Sequence, residues 1–247
     1  MAAHRPAGVT LHRFFLDPSA VGGAEVQFPP AISHQMSRVL RLEVGDRVIV
    51  LDGSGREWTV RLDRVRGVAR GIVEREGENA AEPSVTVVLY QGMVKGSKFE
   101  TIVQKCTEIG VSRFVPVLTE RSVASEINPK RYDRFEVIAR EAAEQSGRGK
   151  VPVVGPPVDF HDAVRRAAGA GAAFLLWEEE RTARLRHVTE IAAAPIALFV
   201  GPEGGFTAAE AQEARGMGVH IVTLGPRILR AETAAIVGSA LLLDQSD

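Results

Sequence analysis

Val200-Gly201-Pro202-Glu203-Gly204-Gly205-Phe206 and Leu224-Gly225-Pro226-Arg227-Ile228-Leu229-Arg230-Ala231-Glu232-Thr233 are two glycine-bearing loops around which the chain is organised. Each follows a short apolar run, 195–200 and 219–224, of the length and composition of a buried strand. Each leads into a helical pattern. Between them, Thr207-Ala208-Ala209-Glu210 is a capping-box sequence that starts a helix just after the first loop. Glycine reaches positive φ and lets the main chain approach a ligand closely. In open α/β sheets, ligands sit beyond the carboxyl ends of the strands. One glycine cluster would read equally well as a helix cap. Two, each with charged residues that have no packing role, point to a backbone-lined pocket.

Working back from those loops, strand and helix patterns alternate from Ser84 onward. Apolar runs at 85–90, 114–118, 151–154 and 172–177 read as further strands. Phe99, Ile102, Val103, Cys106 and Ile109 share one helical face, closed by Gly110. Asn128-Pro129 opens a helix to about Ser146, with Phe135, Ile138, Ala139 and Ala142 inward. More helices are expected over 160–168, 207–216 and 231–243. This rhythm is that of an α/β domain with a mainly parallel sheet.

Upstream the pattern differs. Residues 13–75 hold several short strands around one expected helix over 29–42, with Ile32, Met36, Val39 and Leu40 at helical spacing. The turn Asp52-Gly53-Ser54-Gly55 leads into alternation around Trp58, Val60 and Leu62, a hairpin signal. Short strands around one helix fit a small β-barrel. The polar stretch 76–83, ending in Pro83, reads as a linker. The expected division is therefore 1–75, a linker at 76–83, and 84–247.

Hydrophobic residues make up 45% of the 247-residue chain and charged ones 25%, the balance of a soluble globular protein. No apolar run approaches the roughly 20 residues of a membrane helix. The start, Met1-Ala2-Ala3-His4-Arg5-Pro6, lacks the apolar core of a signal peptide. A single cysteine, Cys106, cannot form an internal disulfide, and a cytoplasmic, reducing setting fits. The net charge of −1 hides an asymmetry. Residues 1–75 carry 11 Arg, no Lys and 8 acidic residues, and the remainder is net acidic. Arginine suits phosphate and base contacts through its planar fork, although a surplus of three also occurs on ordinary solvated faces.

Several other stretches carry less. Gly92-Met93-Val94-Lys95-Gly96-Ser97-Lys98 imitates a phosphate loop, but its glycine spacing and the order of hydroxyl and lysine are wrong for nucleotide binding. Its lysines read equally as RNA-phosphate contacts or as a solvated helix start. The histidines at 4, 12, 34, 161, 187 and 220 form no metal spacing, so no metal is expected. His220 is expected to be packed in a strand. Glu178-Glu179-Glu180 reads first as a solvated charge run, with Glu178 in reach of the pocket. Glu141 to Arg148, with Gln145 and Ser146, clusters hydrogen-bonding groups at a helix end and reads as a substrate or interface contact. No Gly-x-Gly-x-x-Gly follows a strand, so a Rossmann dinucleotide site or Rossmann-type methyltransferase lacks its usual sign.

Taken together, Lys95-Gly96-x-Lys98-x-Glu100, Gln104 to Gly110, Thr119-Glu120-Arg121-Ser122, Glu144-Gln145-Ser146-Gly147-Arg148, Gly201 to Phe206 and Leu224 to Ala234 resemble the RsmE family. Arg13-Phe14-Phe15 and His34-x-x-x-Arg38-Val39-Leu40-Arg41 extend the resemblance to the first domain. These are 16S rRNA uridine-N3 methyltransferases of the SPOUT superfamily. The resemblance implies a PUA-like RNA-binding β-barrel followed by a SPOUT-type α/β domain with a C-terminal trefoil knot. It also implies S-adenosyl-L-methionine as cofactor, a homodimer with a shared active site, and the small ribosomal subunit as partner.

The cofactor-binding residues it implies are Leu176, Val200, Gly201, Pro202, Glu203, Gly204, Gly205, Leu224, Gly225, Ile228, Leu229, Arg230 and Thr233. Backbone groups of such loops can read adenine and ribose edges, with Ile228 and Leu229 as apolar walls. The imide N3 of uridine becomes a nucleophile only on losing its proton, so a nearby cation that stabilises the anion would help. Arg230 is the candidate, with Glu232 positioning it or receiving the proton. Arg13, Arg38, Arg41, Lys95, Lys98 and Arg148 are candidate RNA contacts. Two alternatives compete: a SPOUT enzyme acting on ribose 2′-hydroxyls, and a non-catalytic ribosome-assembly factor.

Overall fold

The computed structural model describes residues 11–21, 23–122, 129–187 and 195–244. The N-terminal stretch with His4, and Asn128, lie outside them. The chain divides into two compact units. One comprises residues 1–82 and 144–150, the other 83–143 and 151–247.

The first unit is a five-stranded sheet. Its strands are β1 (Arg13–Phe15), β2 (Glu25–Gln27), β3 (Arg47–Leu51), β4 (Arg56–Arg64) and β5 (Arg70–Glu78), in the order β1-β3-β4-β5-β2. The β1–β3 pair is parallel and the others antiparallel. The β3–β4 hairpin forms where Asp52 and the glycines predict it. Asp52 Oδ1 accepts the Ser54 N–H at 2.8 Å, and Gly53 and Gly55 take positive φ. Trp58, Val60 and Leu62 alternate inward along β4. Phe14 of β1 and Phe28, just beyond β2, meet edge to face at 6.4 Å, so the two edge strands curl around one core.

The expected helix over 29–42 is shorter than its pattern. α1 (Pro30–His34) passes into a wider π-type turn, Gln35–Val39, and Arg41 then takes a left-handed conformation at φ 54°. The extra residue per turn breaks the 3.6-residue spacing. Met36 is buried, whereas Val39, expected on the same face, is 68% exposed. Residues 76–78 of the expected linker continue β5. Asn79 then donates to Glu57 and to the Gly147 carbonyl, each at 2.9 Å.

The second unit is a three-layer α/β sandwich. Its strands are β6 (Val87–Gly92), β7 (Arg113–Leu118), β8 (Val153–Val154), β9 (Val158–Asp159), β10 (Ala173–Leu176), β11 (Ile196–Val200) and β12 (His220–Val222). All pairs are parallel, in the order β12-β10-β11-β6-β7-β8, with β9 also on β7. The helices are α2 (Lys98–Ile109), α3 (Pro129–Ser146), α4 (Phe160–Ala168), α5 (Ala208–Gly216) and α6 (Ala231–Asp244). Alternate strand residues feed opposite faces. Ile196, Leu198 and Val200 join α2, α3 and α6 in one cluster, while Ala197 and Phe199 join α4 and α5 in the other. Gly238 lets α6 lie close to the sheet, since a Cβ there would sit 3.0 Å from Leu176 and Leu198. His220 is exposed on the edge strand β12, stacked on Phe174 at 5.6 Å, rather than packed inside. Because β6, β10, β11 and β12 are parallel and adjacent, their carboxyl ends gather at one edge.

Candidate functional site

At that edge lies a cavity of about 400 Å³. Both glycine loops line it, the first at the end of β11 and the second at the end of β12. Of the candidate cofactor and catalytic residues, Leu176, Val200, Gly201, Pro202, Glu203, Gly205, Leu224, Gly225, Ile228, Leu229, Arg230 and Glu232 line it. Gly204 and Thr233 are not on its wall. Thr233 is exposed on α6. The Gly204 carbonyl instead accepts a 2.8 Å bond from Arg121 Nη1.

The first loop's glycines each have a steric reason. A Cβ on Gly201 would lie 3.1 Å from Gly205, and one on Gly204 would lie 3.1 Å from Arg121 Cβ. Gly205 has φ +68°, and a Cβ there would lie 2.7 Å from the carboxyl carbon of Glu178. Glu203 anchors the loop's rim. Its Oε1 accepts from Lys98 Nζ at 2.6 Å and from the Lys95 N–H at 3.1 Å. Burial pushes the Glu203 carboxyl up, but the Lys98 ammonium and backbone N–H bonds outweigh it and hold it below the ordinary carboxylate range. Downstream, Thr207 and Glu210 form the expected capping box, and Glu210 Oε1 also takes the Glu120 N–H at 2.9 Å.

The second loop is held at its base. Thr223 donates its N–H to the Ala183 carbonyl at 2.8 Å and accepts from the Leu185 N–H at 3.1 Å. Its hydroxyl pairs with both the N–H and the carbonyl of Gly225, each at 3.2 Å. Beyond Gly225, Arg227, Ile228 and Arg230 are exposed, and neither guanidinium has a partner among the described residues. Glu232 sits in the first turn of α6, with Oε2 buried and unpartnered.

The cavity wall extends beyond the residues named from the two loops. Glu178 lines the cavity, as do Trp177, Thr223, Arg227, Ala231 and Ala234. The signal for Trp177 and Glu178 was their place at the end of an apolar strand run. Glu180, in the same acidic run, is a structural nest. Its Oε1 accepts from the N–H groups of Arg181, Thr182 and Ala183 and from the Thr182 hydroxyl. Those bonds, the Thr182 N–H foremost, hold its carboxyl down at about 2.

The expected RNA contacts separate. Arg38 and Arg41 line a groove in the first unit that also holds His34, Arg64 and Arg66. Lys95 is exposed at the approach to α2. Lys98 is committed to Glu203 and faces the cavity. Arg13 is half-buried, with a long 3.5 Å bond to the Leu11 carbonyl. Arg148 is 2% exposed and paired with Glu82 at 3.0 Å, so it braces the first unit instead of meeting RNA. Nearby, Glu144 Oε1 accepts the Phe15 N–H at 3.1 Å, which gives the Glu141 to Arg148 stretch a structural task. Among the described residues no helix is long and apolar enough to cross a membrane, and no group of three His, Cys, Asp or Glu is placed to hold a metal.

Comparison with known proteins matches residues 81–243 to an RNA methyltransferase domain family and residues 36–65 to an RNA methyltransferase PUA domain family. Ribosomal RNA small subunit methyltransferase E of Synechocystis sp. is 37% identical over 94% of this chain and 77% of its own length. The Bacillus subtilis protein of the same name is 33% identical over 87% of this chain and 88% of its own. Among solved structures, ribosomal RNA small subunit methyltransferase E from Neisseria gonorrhoeae, bound to S-adenosyl methionine, superposes with a TM-score of 0.86. It is 31% identical, with 94% of this chain and 97% of that one covered. The matched domain spans both glycine loops and the cavity between them, and the chain belongs to the RsmE family of RNA methyltransferases.

Proposed function

We propose that this chain methylates N3 of a uridine in 16S rRNA of the small ribosomal subunit, using S-adenosyl-L-methionine held in the cavity between the two glycine loops. The observation that carries the reading is the cavity itself, built from those loops on the carboxyl ends of parallel strands in a chain of this family. Its residues fit the donor. A sulfonium and an ammonium would meet the carboxylates of Glu178, Glu203 and Glu232, and the adenine would lie against Leu176, Leu224, Ile228 and Leu229. A volume of about 400 Å³ falls in the range of small-molecule sites.

When bound, the donor supplies an already activated methyl, so the protein's task is mainly alignment and charge. Methyl transfer forms the N3–C bond, breaks the sulfur–methyl bond and requires loss of the N3 proton. Arg230 stabilises the imide anion as that proton leaves. Glu232, with its unpartnered buried oxygen, orients Arg230 or receives the proton. Arg38, Arg41, Arg64 and Arg66 hold RNA phosphates along the groove of the first unit. The reading includes a homodimer, a cytoplasmic setting and a trefoil knot. The knot draws support from Thr223, bonded to Ala183 and Leu185 of the β10–β11 connection before the chain enters α6.

The test is to incubate undermodified small subunits with the protein and S-adenosyl-L-methionine, digest the rRNA and identify its nucleosides by mass spectrometry. New 3-methyluridine is expected. A 2′-O-methyl nucleoside would move the chemistry to ribose. Neither product nor cofactor binding would leave an assembly factor as the better account.

A further inference from the structure

Gln91 lies at the carboxyl end of β6, fully buried in an otherwise apolar strand. Its Nε2 donates to the carbonyls of Gly92, Val200 and Gly201, at 3.0, 3.3 and 3.2 Å. Three carbonyls around one group fix the amide's orientation, because the reverse would bring oxygen against oxygen. Its Oε1 is then buried with no partner among the described residues. The unpaired buried acceptor is destabilising and offsets what the donor gains by satisfying three carbonyls. The amide's task is therefore to hold those carbonyls rather than to fill the core.

It serves the back of the cavity wall. Val200 and Gly201 face the cavity on one side and present their carbonyls to Gln91. Gly92 allows the same approach, since a Cβ there would lie 2.6 Å from Pro202. Gly201 is in turn closed in by Gly205, 3.1 Å from where its Cβ would be. We infer that Gln91 is a positioning residue that bolts the Gly201–Pro202 peptide in its ligand-binding conformation and so preorganises the methyl-donor site. The inference rests on the proposed role of that cavity.

The experiment compares the full-length protein with its Gln91→Leu and Gln91→Met variants. Three quantities are read: apo melting temperature, S-adenosyl-L-methionine Kd by calorimetry, and KM against kcat in methyl transfer. The expected result is an apo melting temperature within a few degrees of wild type, with Kd and cofactor KM raised about tenfold and kcat at saturating cofactor nearly unchanged. Wild-type affinity in both variants would overturn the inference alone. So would a melting temperature that falls in both variants in step with affinity, since Gln91 would then be an ordinary core residue. Absence of cofactor binding by the wild-type protein would overturn both this inference and the function it rests on.

Discussion

The two glycine loops face one cavity but are built on opposite plans. The Gly201–Phe206 loop is fixed from every side. Gln91 holds it from behind, Arg121 grips the Gly204 carbonyl, Lys98 ties down Glu203, and a capping box closes its exit. The second loop is fixed at Thr223 and Gly225 and then projects Arg227, Ile228 and Arg230, the two guanidinium groups without partners among the described residues and Ile228 83% exposed. A preformed wall suits a ligand that is the same at every turnover. Cations without partners among the described residues and an exposed apolar side chain suit a surface that a bound ligand completes. On the proposed function, the first loop presents a fixed wall to the cofactor, while the second lends Leu224, Ile228 and Leu229 to that wall and carries the Arg230 that acts on the substrate.

The sharpest way to break that comparison is Arg230→Ala. If the second loop acts on substrate, methyl transfer falls by about 10²- to 10³-fold while cofactor Kd stays within about threefold, the loss typical of one missing charge-stabilising donor. Parallel loss of binding would show that Arg230 serves the cofactor rather than the substrate. Next in size is the pair Gly205→Ala and Gly225→Ala. Both glycines have positive φ, so each variant carries backbone strain of about 1–2 kcal/mol. Only at Gly205 does the new Cβ also strike a neighbour, Glu178, whereas nothing lies within 4 Å of it at Gly225. Cofactor titration should therefore show Gly205→Ala weakened by more than tenfold and Gly225→Ala by less. Equal losses would mean that steric fit in the first loop is not what binds the donor.

Much of this was legible from the residues. The strands before both loops, the Thr207–Glu210 box and the Asp52–Gly55 hairpin rest on local chemistry, and local chemistry is what sequence displays. What it did not display depends on the long-range partner. Lys98 and Arg148 look alike as candidate phosphate contacts, yet Glu203 claims one and Glu82 the other, 105 and 66 residues away. Gln91, one residue past the apolar run 85–90, carries no local signal, because only the parallel pairing of β6 with β11 brings Gly201 to its amide. The helix over 29–42 was overextended because a π-type turn leaves no mark in a pattern of apolar spacing. Glu180 was hidden for a different reason, since a nest of three successive N–H groups is a feature of the backbone's path.

Glu180 provides the finest probe of the contrast, since it orders the segment on which the second loop's base rests. Its bond to the Ala183 N–H fixes the residue whose carbonyl receives Thr223. With a folded-state carboxyl at about 2, against 4.5 ordinarily, its contribution is complete above the ordinary value and is lost as the pH falls through the folded one. Gln in its place keeps the acceptor oxygen but not the charge, which costs on the order of 1 kcal/mol at a solvent-accessible nest. Melting curves of Glu180→Gln should lie a few degrees below wild type near neutral pH. The gap should narrow as the pH is lowered from about 6 towards about 3, where the wild-type carboxylate begins to protonate. A gap that stays constant with pH would mean that shape rather than charge organises the segment. The base of the second loop would then rest on packing, and the contrast between a held loop and a free one would lie only in their tips.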